Sequence, residues 1–252
     1  MLKRGFYLSG TALLGIFLFE VIKLEQFLRF VKLIGKEKFH KLQTKKIVVV
    51  GVGGVGGYVV EALIRSGLIN ITVIDYDTID ITNLNRQIIT DHSNIGMLKT
   101  DAILKRAKLI NPKSKLITKN TFLNENNVNN LIDDDTDYVI DACDNVNAKK
   151  CIIKTCLSKK IKFISCMGTG NKFNPQLLEI TELKKTNYDK LAKVMRKWAN
   201  DEHLKGKIMV VSSTERCVKS DDSTIIGSTS FVPSVAGMLC ASYVINDILK
   251  EG

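Results

Sequence analysis

The clearest hydrophobic pattern in the 252-residue chain is an apolar run, Ile47 to Val50, that leads into a cluster of glycines. Apolar residues then recur at helical spacing from Val59 to Ile64, which predicts a helix. Glycines between a strand and a helix let the backbone approach phosphate groups, and the helix N-terminus supplies N–H donors to them. The cluster consists of Gly51, Gly53, Gly54, Gly56 and Gly57.

A second predicted strand, Ile71 to Ile74, follows this helix and ends in Asp75. Asp75 lies 19 residues after Gly56, where an acid can accept a hydrogen bond from a ribose hydroxyl. A glycine turn alone would fit a tight turn without a ligand. The complete order of strand, glycine turn, helix, strand and acid predicts a nucleotide-binding β-α-β unit.

The rest of the chain repeats the alternation of strands and helices that is typical of α/β proteins. We expect a doubly wound, Rossmann-like and mainly parallel sheet with helices on both faces, extended by antiparallel strands in the C-terminal half. Residues 1–24 are expected to form a separate apolar segment and residues 25–252 a single domain. The further predicted strands are 116–118, 138–141, 163–165, 177–181 and 208–213, and the helices are 97–110, 128–132, 145–156, 189–198 and 230–249.

The residues after Asp75 indicate a ligand that carries more charge than a dinucleotide. Residues 82–87 read TNLNRQ, and Lys99 follows 13 residues after Arg86. A nicotinamide dinucleotide does not need two cations here. ATP does, because the negative charge that develops as pyrophosphate leaves must be balanced. We therefore expect Arg86 and Lys99 to contact a triphosphate.

An acidic turn follows the apolar strand Tyr138 to Ile140, because residues 141–145 read DACDN. The carboxyl ends of neighbouring parallel strands meet at one edge of the sheet, so this turn should lie opposite the glycine turn. Carboxylates at such a place are suitable ligands for magnesium. The sequence therefore predicts a magnesium-binding acid in the turn.

Together these motifs resemble the signature of the ubiquitin-activating-enzyme-like adenylyltransferase superfamily, of ThiF type. That signature is GxGGxG, DxD, NxNRQ, a downstream lysine and DxxDN, and all five occur here in order and at matching separations. The resemblance implies an ATP-dependent, adenylate-forming enzyme in which Asp144 holds Mg²⁺ and is catalytic, together with Arg86 and Lys99. It also implies that Asp75 binds the ribose of ATP, that Asn83, Arg86 and Lys99 bind the phosphates, and that Gln87 supports the phosphate site. The other residues implied to bind ATP are Gly51, Gly53, Gly54, Gly56 and Asp77.

The stretch before the first strand carries a further part of the resemblance. Residues 27–35, FLRFVKLIG, are similar to the superfamily pattern FxRxxxLIG, which places its arginine at Arg29. In relatives this arginine crosses a dimer interface to reach the partner's ATP, so the resemblance implies a homodimer in which Arg29 is catalytic. An exposed arginine on an amphipathic helix would explain the same pattern.

Within the superfamily, the C-terminal half most resembles the branch of tRNA threonylcarbamoyladenosine dehydratases. The similar stretches are VVSSTE at 210–215 and GSTSFVPSVAG at 227–237. This resemblance implies ATP-dependent dehydration of N6-threonylcarbamoyladenosine at position 37 of tRNA, through adenylation of its carboxylate. It implies the tRNA anticodon loop as partner, and a sulfur-transfer protein or cysteine desulfurase as a further candidate partner.

The distribution of charge is compatible with a nucleic-acid partner. The net charge is +11, and residues 149–219 contain 17 lysines and arginines against six aspartates and glutamates. A concentrated basic surface binds a polyanion such as tRNA through counterion release. A soluble lysine-rich face without a nucleic-acid partner is the alternative interpretation.

Cysteine spacing and the N-terminal segment bear on location. None of the six cysteines forms a Cys-x-x-Cys pair, so we expect no structural zinc. The predicted strands and helices suffice for a core without disulfides, so we expect a reducing, cytoplasmic compartment. The uncharged run from Gly5 to Phe19 is shorter than the roughly 20 residues of a membrane span. Residues 1–24 are expected either to pack as an apolar helix or to attach the protein peripherally to a membrane.

Three other functions remain open at this point. The nearest is an ATP-dependent adenylyltransferase that activates the C-terminal glycine of a ubiquitin-like sulfur-carrier protein, for which Cys217 is a candidate thiol. The second is a nicotinamide oxidoreductase, which leaves Arg86, Lys99 and Asp144 without a role. The third is a membrane-tethered scaffold with a vestigial site, against which the intact motifs argue.

Overall fold

A single mixed sheet forms the centre of the computed structural model, which describes residues 25–218 and 225–250. Within those ranges the chain forms seven strands and eight α-helices. The strands are β1 (Lys46–Val50), β2 (Asn70–Asp75), β3 (Lys115–Asn120), β4 (Tyr138–Asp141), β5 (Lys162–Cys166), β6 (Leu178–Glu182) and β7 (Met209–Ser213). The helices are α1 (Leu28–Ile34), α2 (Lys36–Thr44), α3 (Gly56–Arg65), α4 (Lys99–Ile110), α5 (Val128–Leu131), α6 (Val146–Lys159), α7 (Lys190–Asp201) and α8 (Phe231–Lys250).

The sheet changes direction of winding at β1, and this position determines where a ligand can bind. The strand order is β3-β2-β1-β4-β5-β7-β6, and β1 pairs in parallel with β2 on one side and β4 on the other. Val50 is opposite Ile74 and Asp141, so the three strands end at the same level. A crevice at such a switch point is where open α/β sheets bind ligands. The prediction of a doubly wound, Rossmann-like sheet is confirmed.

The strands near the middle of the sheet are apolar on both faces because helices cover both sides. Every residue of β1 after Lys46 is buried, and all four residues of β4 are buried. Helix α8 packs against α3 and the neighbouring strands. Among the described residues α8 alone has the length and hydropathy that a membrane span requires, but half of it is buried in the protein, as expected of a core helix.

The C-terminal strands extend the sheet in a way that the hydrophobic pattern predicts only in part. Strand β7 pairs in parallel with β5, and β6 pairs with β7 in antiparallel orientation at the edge. Thus only one strand of the extension is antiparallel. Val210 and Val211 of β7 are both fully buried, which suits an interior strand, whereas β6 is only partly buried, which suits an edge.

The N-terminal helices belong in part to a separate compact unit, Met1–Lys41, and the remainder of the chain forms the unit Leu42–Gly252. Gly35, at φ +86°, separates α1 from α2. The rings of Phe27 and Phe39 lie 5.3 Å apart and pack with Val31. Residues 1–24, for which an apolar helix or membrane contact is predicted, lie outside the described residues, and the proposed domain limits stay a prediction.

Candidate active site

A cavity of about 320 Å³ lies at the carboxyl ends of β1, β2 and β4. It is lined by all of the residues predicted to bind ATP except Gly56, and also by Asp144. Residues that the motifs did not indicate complete the lining. These are mainly Tyr76 and Phe122, whose rings lie 5.0 Å apart, with Cys143, Thr169 and Pro233.

The glycine turn is held so tightly that two of its positions exclude any side chain. Gly51 has φ +84°, and its N–H donates to the Ile74 carbonyl at 2.8 Å. A Cβ on Gly51 would lie 2.9 Å from the carbonyl oxygen of Ala142, and one on Gly56 would lie 1.8 Å from the carbonyl oxygen of Gly51. The start of α3 therefore packs directly on the end of β1, with its N-terminus beside the cavity.

Asp75 is fixed at the end of β2 by two backbone donors. The N–H of Val52 donates to its Oδ2 at 2.7 Å, and the N–H of Asp77 donates to its Oδ1 at 2.8 Å. Burial raises the pKa of the Asp75 carboxyl above its usual value, and these hydrogen bonds only partly oppose the rise. Each carboxylate oxygen keeps a lone pair that can accept a ribose hydroxyl.

Lys99 is a buried cation at the start of α4, and it is already paired. Its Nζ lies 2.8 Å from Asp77 Oδ2, and its backbone N–H donates to the Asp77 carbonyl at 2.9 Å. The Lys99 side chain is 8% exposed, whereas that of Asp77 is 44% exposed. Lys99 therefore already has an anionic partner, and that partner faces water whereas Lys99 does not.

The NxNRQ motif forms a capped turn that aims its side chains at the cavity. Asn83 Oδ1 accepts the N–H of Asp80 at 3.1 Å, which leaves the Asn83 amide group as a donor. Arg86 Nη1 donates to the Thr82 carbonyl and to Asn85 Oδ1, both at 2.9 Å. Gln87 is buried, and its Oε1 has no hydrogen-bond partner among the described residues.

The two acids of the DACDN turn have different environments. Asp141 is fully buried and forms an ion pair with the equally buried Lys149, at 3.0 Å. Asp144 is exposed and lines the cavity. Asp141 is therefore part of the core, and Asp144 is the acid of this turn that can meet a ligand. No local pattern indicates this buried ion pair, because in the sequence Lys149 is simply one lysine of a lysine-rich helix.

Cys143 lines the cavity but is unsuited to act as a nucleophile. Its Sγ donates to Asp141 Oδ1 at 3.0 Å. Burial, with the nearby Asp141 carboxylate, raises the pKa of the thiol well above its usual value. Because only the thiolate is an effective nucleophile, these surroundings disfavour Cys143 as a nucleophile.

Two other predicted residues, Arg29 and Cys217, are not among the residues that line the cavity. Arg29 is exposed on α1, within the unit that ends at Lys41, and its contribution to the site stays a prediction. Cys217 is partly exposed between β7 and the residues 219–224, which the structure does not describe. Its role as a thiol acceptor likewise stays a prediction.

The chemistry of the lining suits ATP with magnesium. The glycine turn leaves room for phosphate, and Lys99 and Arg86 supply positive charge. Among the described residues, no three His, Cys, Asp or Glu side chains form a ready metal site. Magnesium in nucleotide enzymes typically uses one or two carboxylates with phosphates and water, and the single exposed carboxylate of Asp144 fits that kind of site.

Comparison with known proteins identifies the family. The model of the ThiF family matches residues 25–252. This chain belongs to the ThiF family. Its relatives include the tRNA threonylcarbamoyladenosine dehydratase of Bacillus subtilis, which is 37% identical over 244 residues, 90% of this chain and 96% of the relative. The enzyme of the same name from Haemophilus influenzae is 34% identical over 239 residues, which are 87% of this chain and 92% of the relative.

A solved structure supports the same assignment to the ThiF family. The crystal structure of the Escherichia coli tRNA N6-threonylcarbamoyladenosine dehydratase in complex with ATP matches with a TM-score of 0.85 and 31% identity. The match covers 91% of this chain and 97% of the other. The resemblance to an adenylyltransferase superfamily, found from the motifs, is therefore confirmed.

Proposed function

We propose that this ThiF family member uses ATP to dehydrate N6-threonylcarbamoyladenosine at position 37 of tRNA, so that the side chain closes into a ring. One observation carries the proposal: relatives that match nearly the whole chain are named for this reaction. The cavity at the switch point of the sheet agrees with it, because it combines a phosphate-binding glycine turn, two cations and a free acid.

The reaction has two steps, and each has a defined leaving group. A carboxylate oxygen of the substrate first bonds to the α-phosphorus of ATP, and pyrophosphate leaves with the electrons of the broken P–O bond. A nucleophilic group of the same side chain then attacks the acyl carbon, loses a proton, and AMP leaves with the former carboxylate oxygen. Because the second step is intramolecular, no protein nucleophile is needed, which agrees with the raised pKa of the Cys143 thiol.

The residues of the cavity have separate roles in the first step. Asp75 accepts a hydrogen bond from a ribose hydroxyl, and the Asn83 side chain donates a hydrogen bond to the phosphates. Arg86 and Lys99 balance the charge that develops as pyrophosphate departs, a type of stabilisation that is usually the largest catalytic term. When ATP binds, the nucleotide phosphates replace Asp77 as the ion-pair partner of Lys99. Gln87 supports the phosphate site.

Asp144 would hold magnesium in this site. A magnesium ion bound there would neutralise charge on the leaving pyrophosphate. Substituting Asp144 by alanine should therefore abolish AMP formation without unfolding the protein, since the side chain is exposed. We further propose a homodimer in which Arg29 reaches the nucleotide of the partner subunit.

The direct experiment is mass spectrometry of anticodon-loop nucleosides after incubation of the protein with tRNA, ATP and Mg²⁺. The expected result is conversion of threonylcarbamoyladenosine to a product that lacks one water, with one AMP formed per product. Asp144→Ala is the inactive control. Unchanged nucleoside in the wild-type reaction would refute the proposal.

Activation of a sulfur-carrier protein is the alternative that shares the same site. It predicts ATP–pyrophosphate exchange that is stimulated by a carrier protein with a C-terminal glycine and not by bulk tRNA. Dehydration predicts the reverse. A sulfur-transfer partner and peripheral membrane contact through residues 1–24 stay predictions, as does the cytoplasmic location.

A further inference from the structure

Beneath the acidic turn lies a fully buried polar cluster that the proposed chemistry does not use. Lys149 Nζ lies 3.0 Å from Asp141 Oδ2, 3.3 Å from Ser165 Oγ and 2.7 Å from the Cys166 carbonyl oxygen. Ser165 Oγ donates to the same Asp141 oxygen at 2.5 Å. The side chains of Lys149 and Asp141 are both 0% exposed, so neither can contact ATP or tRNA in this structure.

The protonation state of the cluster is fixed by its own members. Burial alone would lower the pKa of Lys149, but the adjacent Asp141 carboxylate outweighs burial and raises it. Lys149 is therefore a cation. An ion pair removed from water is costly, and apolar residues of similar size commonly stabilise a core as well or better. Stability alone thus gives no reason for a lysine at this position.

Asp141 connects this buried cation to the turn above it. Its Oδ2 is held by Lys149 and Ser165, while its Oδ1 accepts the Cys143 N–H at 3.2 Å and the Cys143 thiol at 3.0 Å. Cys143 directly precedes Asp144 in the chain. Lys149 is therefore linked, through one carboxylate, to the residue that directly precedes Asp144.

The other end of the turn is tied to the same helix. Asn145 caps α6 by accepting the N–H of Ala148 at 3.0 Å, and the N–H of Lys149 donates to the Asn145 carbonyl at 3.0 Å. On its opposite side the turn touches the glycine turn, because a Cβ on Gly51 would lie 2.9 Å from the Ala142 carbonyl oxygen. Residues 142–145 are thus clamped between α6, Asp141 and the phosphate-binding turn.

We propose that Lys149 is a positioning residue, which fixes Asp144 through Asp141 so that its carboxylate meets magnesium bound to the phosphates of ATP. The proposal rests on the proposed function, which assigns magnesium to Asp144. Partners that orient a metal ligand without touching the metal typically contribute 10–100-fold to metal affinity or activity. Loss of Lys149 should therefore weaken the magnesium-dependent part of ATP binding.

The test is calorimetric titration of a non-hydrolysable ATP analogue into wild type and Lys149→Met, with and without Mg²⁺. With Mg²⁺ we expect roughly 10–100-fold weaker binding in the variant, and without Mg²⁺ about the same affinity as wild type. Asp144→Ala should show the same selective loss. The maximal rate of AMP formation should fall, while KM for tRNA should change little.

Two further variants separate positioning from general destabilisation. Arg106→Met breaks another ion pair, that of the half-buried Arg106 with the buried Glu61 at 2.6 Å, and should lower the melting temperature without changing the effect of Mg²⁺. Ser165→Ala removes one donor to Asp141 but no charge. It should fold even if Lys149→Met does not, and it should shift the Mg²⁺ dependence in the same direction by a smaller factor.

The outcomes are distinguishable from failure of the proposed function. Suppose that the Lys149→Met and Ser165→Ala proteins fold and that Mg²⁺ increases their affinity for the ATP analogue as much as it does in wild type. The positioning role is then refuted, even when wild type dehydrates tRNA. If Asp144→Ala keeps that dependence, Lys149 has no metal ligand to position and the inference also fails. If wild type forms no AMP with tRNA, it is the proposed function that fails.

Discussion

Asp75 shows how one residue combines a structural role and a ligand role. Its two oxygens accept the N–H groups of Val52 and Asp77, and so join the glycine turn to the start of the next loop. The same carboxylate is proposed to accept a ribose hydroxyl. An amide could retain the general shape of the side chain, but its NH₂ group would face one of these backbone donors.

The raised pKa of Asp75 predicts a pH dependence of ATP binding. The charged form is the better acceptor, and burial makes it less favourable, so the residue takes up its proton at higher pH than an exposed aspartate does. As the pH is lowered, ATP affinity should therefore begin to fall at a higher pH than it would with an exposed aspartate at this position. Asp75→Asn should bind ATP roughly 10–100-fold more weakly at pH 7, as expected for a hydrogen bond to a charged group.

Calorimetry at several pH values measures both effects. Protonation of ATP itself affects wild type and variant alike. The dissociation constant of the variant divided by that of wild type therefore isolates the contribution of Asp75. A ratio near one at pH 7, or one that increases as the pH is lowered, would contradict the assigned role.

At the scale of the elements, the junction of β1, the glycine turn and α3 is packed so closely that an added side chain would not fit at Gly56. Gly56→Ala should destabilise the protein by about 3 kcal/mol or prevent folding, because the added Cβ would overlap the Gly51 carbonyl. Gly53→Ala is the matched control, since its Cβ would meet only Gln87 Nε2, at an ordinary 3.6 Å. It should retain stability to within about 0.5 kcal/mol and still bind ATP more weakly.

Urea unfolding and ATP titration of the two variants separate these effects. Stability loss is expected only in Gly56→Ala, where the helix start packs on the strand. If Gly53→Ala binds ATP with wild-type affinity, the backbone at that position does not approach the phosphates.

The elements that the sequence predicts well are those with strong local patterns. The glycine turn, its flanking strands, and the helix that begins near Asn145 are all evident from short stretches. The position of β7 between β5 and β6 was not, because two short strands carry no local information about which one forms the edge. The role of Lys149 was equally hidden, since its partners Ser165 and Cys166 belong to a later strand.

At the scale of the whole molecule, the positive charge is concentrated in residues 149–219. Helix α7 presents an exposed basic face there, which includes Lys190, Lys193 and Lys197. A tRNA bound through such a surface should be sensitive to salt, because each phosphate contact releases counterions.

Replacing Lys193 and Lys197 by alanine should raise KM for tRNA and reduce the slope of log affinity against log salt by up to about 1.8. ATP affinity should not change. Lys105→Ala/Lys115→Ala, which removes two exposed lysines on α4 and β3, is the control and should leave the slope as in wild type. Equal slopes in all three proteins would exclude α7 from the tRNA surface.

The proposed homodimer makes a specific prediction about mixed variants. If Arg29 acts on the nucleotide of the partner subunit, mixing inactive Arg29→Ala with inactive Asp144→Ala should restore part of the activity. One active site of the mixed dimer would then contain both residues intact. The absence of any rescue after confirmed subunit exchange would place Arg29 within its own subunit or outside the reaction.

The central claim is that ATP activates the tRNA carboxylate at its α-phosphorus, and oxygen-isotope transfer tests it most directly. The substrate is tRNA whose threonylcarbamoyl carboxylate is labelled with ¹⁸O, and the products are examined by mass spectrometry after one turnover. We predict one ¹⁸O atom in AMP and none in pyrophosphate. Label in water or in inorganic phosphate, with unlabelled AMP, would contradict the account.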